Sequence, residues 1–226
     1  MNADKTNRRN KTLAKPRQDC ILKVDKTISS PKKNSSKGKH EKILKAAIKV
    51  FAKNGFHNSK ISQIAKEANV ADGTIYLYFK NKDDILIRLF EEKLQEIIDD
   101  LHNELQHIDN ATDKFKLFVR KHLSKVESNR NLAEVVSVEL HQSHKFMKEY
   151  IPVKFSEYLN ILSIIIREGK EEGIFRSDIM PGIVKRSIFG ALDEMVLYWV
   201  LTPNAKYDLE TGTEQVTKFF LNGLLA

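Results

Sequence analysis

The sequence predicts an all-α fold, and three observations predict it. Nine glycines and five prolines in 226 residues leave little turn material for a chain of short strands. Apolar residues recur at i, i+3, i+4 and i+7 from Ile43 onward, which is the period of a helix with one buried face. The breaks in that period fall on helix punctuation: Asn54-Gly55, Asn69, Pro152, Gly169 to Gly173, and Pro181.

Composition narrows the functional classes. Hydrophobic residues make up 41% and charged residues 30% of the chain, which is globular composition, and no uncharged apolar run approaches the ~20 residues of a membrane span. The first twenty residues are basic without a following apolar stretch, so the expected compartment is the cytoplasm. Cys20 is the only cysteine, which excludes an internal disulfide and a cysteine-rich zinc site. The net charge of +8 is unevenly spread. Residues 1–38 carry 11 basic and three acidic side chains, residues 39–93 carry 11 and seven, and residues 94–226 carry 16 and 20. A basic front joined to an acidic back points to a polyanion partner for the N-terminal part. Residues 1–36 form a Lys-, Asn- and Ser-rich tail expected to be disordered, in which Arg8, Arg9, Lys15 and Arg17 have the make-up of an arm that follows DNA phosphates.

The first helix runs from about Lys39, with Ile43, Ala46, Ala47, Val50 and Phe51 on one face, and stops at Asn54-Gly55. A second, about two turns long, spans Lys60 to Ala68, with Ser59 as its expected N-cap and Ile61, Ile64, Ala65 and Ala68 inward. Asn69 tolerates a left-handed backbone, so the chain turns sharply there into a third short helix from Gly73 to Phe79. Two short helices about a tight turn make a helix-turn-helix candidate. Asp72, Gly73 and Thr74 open the third helix, where a recognition helix reaches base edges, and Gly73 lets backbone approach closely. Tyr76, Tyr78, Lys80 and Lys82 supply hydroxyl and ammonium donors suited to phosphate oxygens, with Lys60 at the start of the preceding helix.

The stretch from Ile64-Ala65 through Ala68-Asn69-Val70-Ala71-Asp72-Gly73-Thr74-Ile75-Tyr76-Leu77-Tyr78-Phe79-Lys80-Asn81-Lys82 to Ile85-Leu86 resembles the DNA-binding domain of TetR-family transcriptional regulators. The resemblance covers about residues 37–97 and implies a three-helix DNA-binding domain there, followed by a helical ligand-binding and dimerisation domain over 98–226. It implies that Asp72, Gly73 and Thr74 read bases and that Tyr76, Tyr78 and Lys82 hold phosphates. Asn69 stands where the family usually has Gly, and Ala71 where it often has Ser, which removes a hydroxyl able to cap the helix or touch phosphate.

Beyond the turn, a long helix starts near Asn81-Lys82 and carries Leu86, Leu89, Phe90, Leu94, Ile97, Ile98, Leu101 and Leu105 in one stripe. Further helices are expected over about Thr112–Glu127, Leu132–His141 and Lys145–Tyr150, from Pro152 to Gly169, from Ile183 to Leu201, and from Leu209 to Leu225. The helices around Ile161–Ile166 and Val184–Val200 are apolar on more than one face, which suits a core on one side and a second subunit on the other. A two-fold pair would read an inverted repeat.

The third-helix motif together with Tyr158-Leu159-Asn160-Ile161-Leu162, Ile188-Phe189-Gly190, Asp193-Glu194, Trp199-Val200 and Tyr207-Asp208-Leu209 is similar to the fatty-acid-degradation repressors (FadR type) of Gram-positive bacteria. That similarity implies a long-chain acyl-CoA effector held in the helical domain, release from a palindromic operator, and no resident cofactor. Phe115, Phe118, Phe146, Met147, Phe189 and Trp199 are the candidate liners of such a pocket, and the same residue types serve ordinary core packing. Two other readings stay open at this point: a TetR-type repressor of efflux genes answering to a lipophilic drug, and a helical acyl-CoA carrier or enzyme that never meets DNA.

Catalysis and metal binding have little support. The pairs Asp83-Asp84 and Asp99-Asp100 sit next to each other on helices and diverge by about 100°, so they do not share a substrate. Asp193-Glu194 interrupts a very apolar helix, which marks one of the two for a buried partner or a ligand. His141 and His144 have a metal-compatible spacing but fit a helix end as well, and no phosphate-loop motif occurs.

Overall fold

The structure, a computed structural model, describes residues 32–139 and 152–226. Residues 1–31 of the basic tail, the helix expected over Lys145–Tyr150, the histidines 141 and 144, and the pocket candidates Phe146 and Met147 lie outside the described residues. Residues 32–36, expected to be disordered with the tail, instead belong to the first helix, because the helical backbone extends upstream of Lys39.

Helices α1 (Lys32–Asn54), α2 (Ile61–Ala68) and α3 (Asp72–Ile75) form the N-terminal unit. Their apolar faces meet at one core: Ile43, Ala47, Phe51, Ile64, Ala65, Ala68 and Ile75 are all buried, closed from below by Phe79, Ile85 and Leu89. Phe56 folds back edge-on to Phe51 at 5.3 Å. Gly55 takes φ 73 after α1, the left-handed stop that Asn54-Gly55 announced. Asn69 takes φ 51 and ψ 54; its N–H donates to the Lys66 carbonyl and that of Val70 to the Ala65 carbonyl, closing the end of α2. Ser59 is not the N-cap of α2. It is buried, and its hydroxyl donates to the carbonyls of Gly55 (2.7 Å) and Val50 (3.3 Å), tying the loop to α1. Lys60 occupies the cap position, with its N–H donating to the Gln63 side chain at 2.8 Å. Ala71 caps α3 without a side-chain hydrogen bond, as the missing hydroxyl requires.

Helix α4 (Lys82–Leu105) runs from this unit into the rest of the molecule. Its start is a reciprocal cap: the Asn81 side chain accepts from the Asp84 N–H at 2.8 Å, and the Asp84 carboxylate accepts from the Lys80 N–H at 2.9 Å. Asp83 and Asp84 in the first turn also suit the positive end of the helix dipole. Leu86, Leu89, Phe90, Leu94, Ile98 and Leu101 form one buried stripe that serves both halves of the molecule.

The expected helix over Thr112–Glu127 is divided. Helix α5 (Ala111–Leu123), capped by Asn110, ends at Ser124, and a single turn α6 (Lys125–Ser128) follows. Asn129 then caps α7 (Arg130–Glu134), which passes into a π-helical turn over Val135–Glu139. Pro152 opens α8 (Pro152–Glu171), as its fixed φ and missing N–H favour. The helix closes on Gly173 at φ 72, with Ile174 and Phe175 both donating to the Gly169 carbonyl. Glycine is required at 169, because a Cβ there would fall 2.2 Å from the Phe175 ring. Helices α9 (Pro181–Leu201) and α10 (Leu209–Leu224) complete the chain, the latter capped by Asp208. Among the described residues the sole extended pairing is one bridge, Phe175 with Leu225, which staples the C-terminus to the loop after α8. Phe115, Phe118, Tyr158, Leu162, Ile166, Ile188 and Leu192 build the second half of the core, with α8 packed between α4, α5 and α9.

Candidate nucleic-acid interface and buried cavity

Buried Ile75 and Phe79 pin the third helix to α1 and α2, which turns the residues between and before them outward. Asp72 and Gly73 are exposed, and a Cβ built on Gly73 would meet nothing within 4 Å, so the backbone there is open to approach. Thr74 is half-buried. Tyr76 is 59% exposed, whereas Tyr78 is half-buried with its ring 6.3 Å from that of His40 on α1. Lys60 and Lys80 flank this edge and are exposed. Leu77, 80% exposed, is the outward residue that sequence reasoning missed; the i, i+4 spacing of Ile75 and Phe79 was its signal, because burial of both puts Leu77, two residues from each, on the opposite side.

Lys82 is placed differently from the other candidates. Its ammonium donates to the carbonyls of Phe56 (2.7 Å), His57 (3.0 Å) and Ser59 (3.0 Å) and lies 4.5 Å from the centroid of the Phe56 ring. Three protons meet three carbonyls, so in this arrangement the group clamps the loop between α1 and α2 onto the start of α4.

The second site is a cavity of about 450 Å³, lined among the described residues by α4, α5, α6, α7, the π-helical turn, α8 and α9. Its walls are mostly apolar, with Phe90, Leu94, Ile97, Leu132, Val136, Phe155, Phe189 and Val196 among them. Of the four expected liners among the described residues, Phe189 faces the space. Phe118 stands behind the wall, stacked on Tyr158 at 5.3 Å between ring centroids. Phe115 is core away from the cavity, and Trp199 packs towards α10, its indole N–H donating to the Tyr207 carbonyl at 3.1 Å.

Sequence reasoning missed a polar group of four in the same wall. His122, Lys125, Tyr158 and Asp193 all line the cavity. His122 Nδ1 and the Tyr158 hydroxyl share a hydrogen bond of 2.6 Å. The Lys125 ammonium donates to that hydroxyl at 3.4 Å and sits 4.6 Å from the centre of the Tyr158 ring. Burial pushes the Lys125 amine down to about 7, opposed by the Asp193 carboxylate. Burial, with the Lys125 charge beside it, holds His122 well below the ordinary imidazole range. Burial and then Asp193 push the Tyr158 phenol up. At neutral pH His122 and Tyr158 are therefore both uncharged. Asp193 carried a signal, as an acid interrupting an apolar helix, and the structure shows which of the pair it is: Glu194 is exposed. Lys125 carried none, because its place depends on the break at Ser124 that turns α6 into the wall.

A two-turn helix, a left-handed residue, a short exposed helix and a long connecting helix that runs into a helical domain with a cavity match what family comparison finds. The description "Bacterial regulatory proteins, tetR family" matches residues 43–89, and "YsiA-like protein, C-terminal region", a TetR-type C-terminal domain, matches residues 90–223. The chain belongs to the TetR family. Among relatives of this TetR-family chain, the fatty acid metabolism regulator protein of Bacillus subtilis (strain 168) is 40% identical over 186 residues, which cover 82% of this chain and 95% of that protein. The crystal structure of the transcriptional regulator FadR from Bacillus subtilis in complex with stearoyl-CoA superposes with a TM-score of 0.76 at 40% identity, covering 81% of this chain and 98% of that one. The fatty acid degradation regulator FadR from Bacillus halodurans gives a TM-score of 0.76 at 38% identity, covering 82% and 99%. No helix among the described residues is long and apolar enough to cross a membrane.

Proposed function

We propose that this TetR-family chain is a cytoplasmic DNA-binding repressor of fatty-acid degradation genes, bound to a palindromic operator as a homodimer and released by a long-chain acyl-CoA. The observation that carries the reading is likeness at 40% identity, over nearly the whole length of the Bacillus subtilis regulator, to a protein whose structure holds stearoyl-CoA. An apolar cavity with a small polar cluster is what a ligand with a hydrocarbon chain and a polar head group needs. Asp72, Gly73 and Thr74 face base edges. Tyr76, Tyr78, Lys60 and Lys80 face the phosphates, and the exposed Leu77 supplies an apolar contact of the kind that suits a thymine methyl. Lys82 acts as the positioning clamp of this unit. Ile183, Leu201 and Phe219 leave large apolar surface outward on α9 and α10, and a second copy covers it.

Acyl-CoA filling the cavity moves α4, which forms part of its wall through Phe90, Lys93, Leu94, Glu96 and Ile97 and carries the Lys82 clamp at its other end. DNA and ligand then oppose each other by linkage, each weakening the other by the same factor. The test is a gel-shift titration on the chain's own upstream promoter fragment. Release by palmitoyl-CoA, with no release by a lipophilic cationic dye, is the expected result. Release by the dye alone would move the chain to the efflux regulators, and failure to bind the fragment at low salt would remove the repressor reading altogether.

A further inference from the structure

The charge balance of the cavity sets what kind of head group it accepts, given the acyl-CoA reading above on which this rests. Among the described residues, four formally charged side chains line it: Lys93, Glu96, Lys125 and Asp193. Lys93 and Glu96 pair with each other at 2.7 Å. Lys125 stands over the Tyr158 ring and donates to its hydroxyl, and Asp193 shares that wall. His122 and Tyr158, the other titratable groups there, are hydrogen-bonded to each other.

Counting Lys125 as its ammonium, these four side chains sum to zero. A free fatty acid brings a carboxylate, which enters an apolar enclosure already holding the Asp193 carboxylate and leaves one negative charge uncompensated beside a like charge. An acyl thioester brings a neutral carbonyl. It accepts a hydrogen bond and adds no charge, so Lys125 and Asp193 keep each other balanced.

We propose that Asp193 is a specificity-determining residue that rejects free carboxylates, while Lys125 and Tyr158 donate to the carbonyl oxygen of a neutral acyl ester or thioester. Rejection is electrostatic rather than steric, since a carboxylate is no larger than the group it replaces.

The experiment follows release of a fluorescent operator fragment from the full-length protein by palmitoyl-CoA, palmitate and methyl palmitate, whose chains are alike and whose heads differ in charge and size. For the wild type, palmitate should need at least about tenfold more than methyl palmitate, the equivalent of one charge-discrimination step of about 1.4 kcal/mol. In Asp193→Asn the ratio of the palmitate to the palmitoyl-CoA midpoint should fall by about tenfold or more, because the wall then carries a net positive charge for the acid to meet. Palmitate and methyl palmitate acting alike on the wild type would overturn the proposal without any variant, and so would an unchanged ratio in Asp193→Asn. A wild type that answers to none of the three compounds would instead bring down the acyl-CoA reading and this inference with it.

Discussion

At the scale of single residues, the molecule places two ammonium groups in opposite circumstances. Lys82 has three carbonyls to serve, and Lys125 has one phenol and the Asp193 carboxylate in a mostly apolar wall. Replacing Lys82 by Met should therefore destabilise the N-terminal unit by about 2 kcal/mol, the worth of charge-assisted hydrogen bonds, while leaving the salt slope of operator binding unchanged. Urea titration and salt-dependent anisotropy separate that outcome from a phosphate contact, whose loss would lower the slope by about one. For Lys125 the sign is reversed. Its folded pKa is about 7 against an ordinary value of 10.5, so between these limits the unfolded chain binds more protons. Stability then rises with pH across that window, by up to about 1.4 kcal/mol per pH unit, and the cost of burial is present in full below pH 7. Melting curves of the wild type and Lys125→Met should converge as pH rises from 7 to 10, with the variant the more stable at the acid end. Parallel curves would mean that the amine is solvated. Thr74→Ala should cost about 1–3 kcal/mol of operator affinity and relax base choice at one position, as measured by competition with operators altered one pair at a time.

At the scale of elements, the sequence revealed most where local chemistry decides. Asn69 announced the turn of the helix-turn-helix because only a few residue types accept φ 51, and Pro152 and Pro181 marked their helix starts for equally local reasons. Replacing Asn69 by a β-branched Val should cost about 1–2 kcal/mol, and Gly should be neutral or stabilising, which thermal melts will distinguish. The break at Ser124, the π-helical turn and the burial of Ser59 were not legible, since each depends on what packs from elsewhere. The cavity was least legible of all. His122, Lys125, Tyr158 and Asp193 are spread over 72 positions, so no spacing rule joins them, and the aromatic residues chosen by type divided between wall, second layer and plain core. Gly212 illustrates the same limit: its sequence context is unremarkable, yet a Cβ there would fall 2.5 Å from the Trp199 ring. Gly212→Ala should cost about 1–3 kcal/mol through overpacking, unless the indole yields.

At the scale of the whole molecule, opposition of ligand and DNA requires both sites to be joined by something that cannot bend in between. Helix α4 is uninterrupted from Lys82 to Leu105, with one cap at its start and a buried stripe along its length. Operator affinity measured at rising palmitoyl-CoA should fall to a plateau rather than to zero, and the reciprocal titration should give the same factor. From the middle of the cavity wall at Leu94 back to Lys82 is twelve residues, or about 18 Å of stiff rod at 1.5 Å per residue. A tilt of about 10° about the cavity end swings the far tip through about 3 Å, roughly the axial step between neighbouring base pairs. With its ammonium anchored to three carbonyls, that tip is welded to the reading head. On the proposed reading, leverage of this kind would turn a modest swelling among hydrocarbon side chains into a full misregistration along the groove.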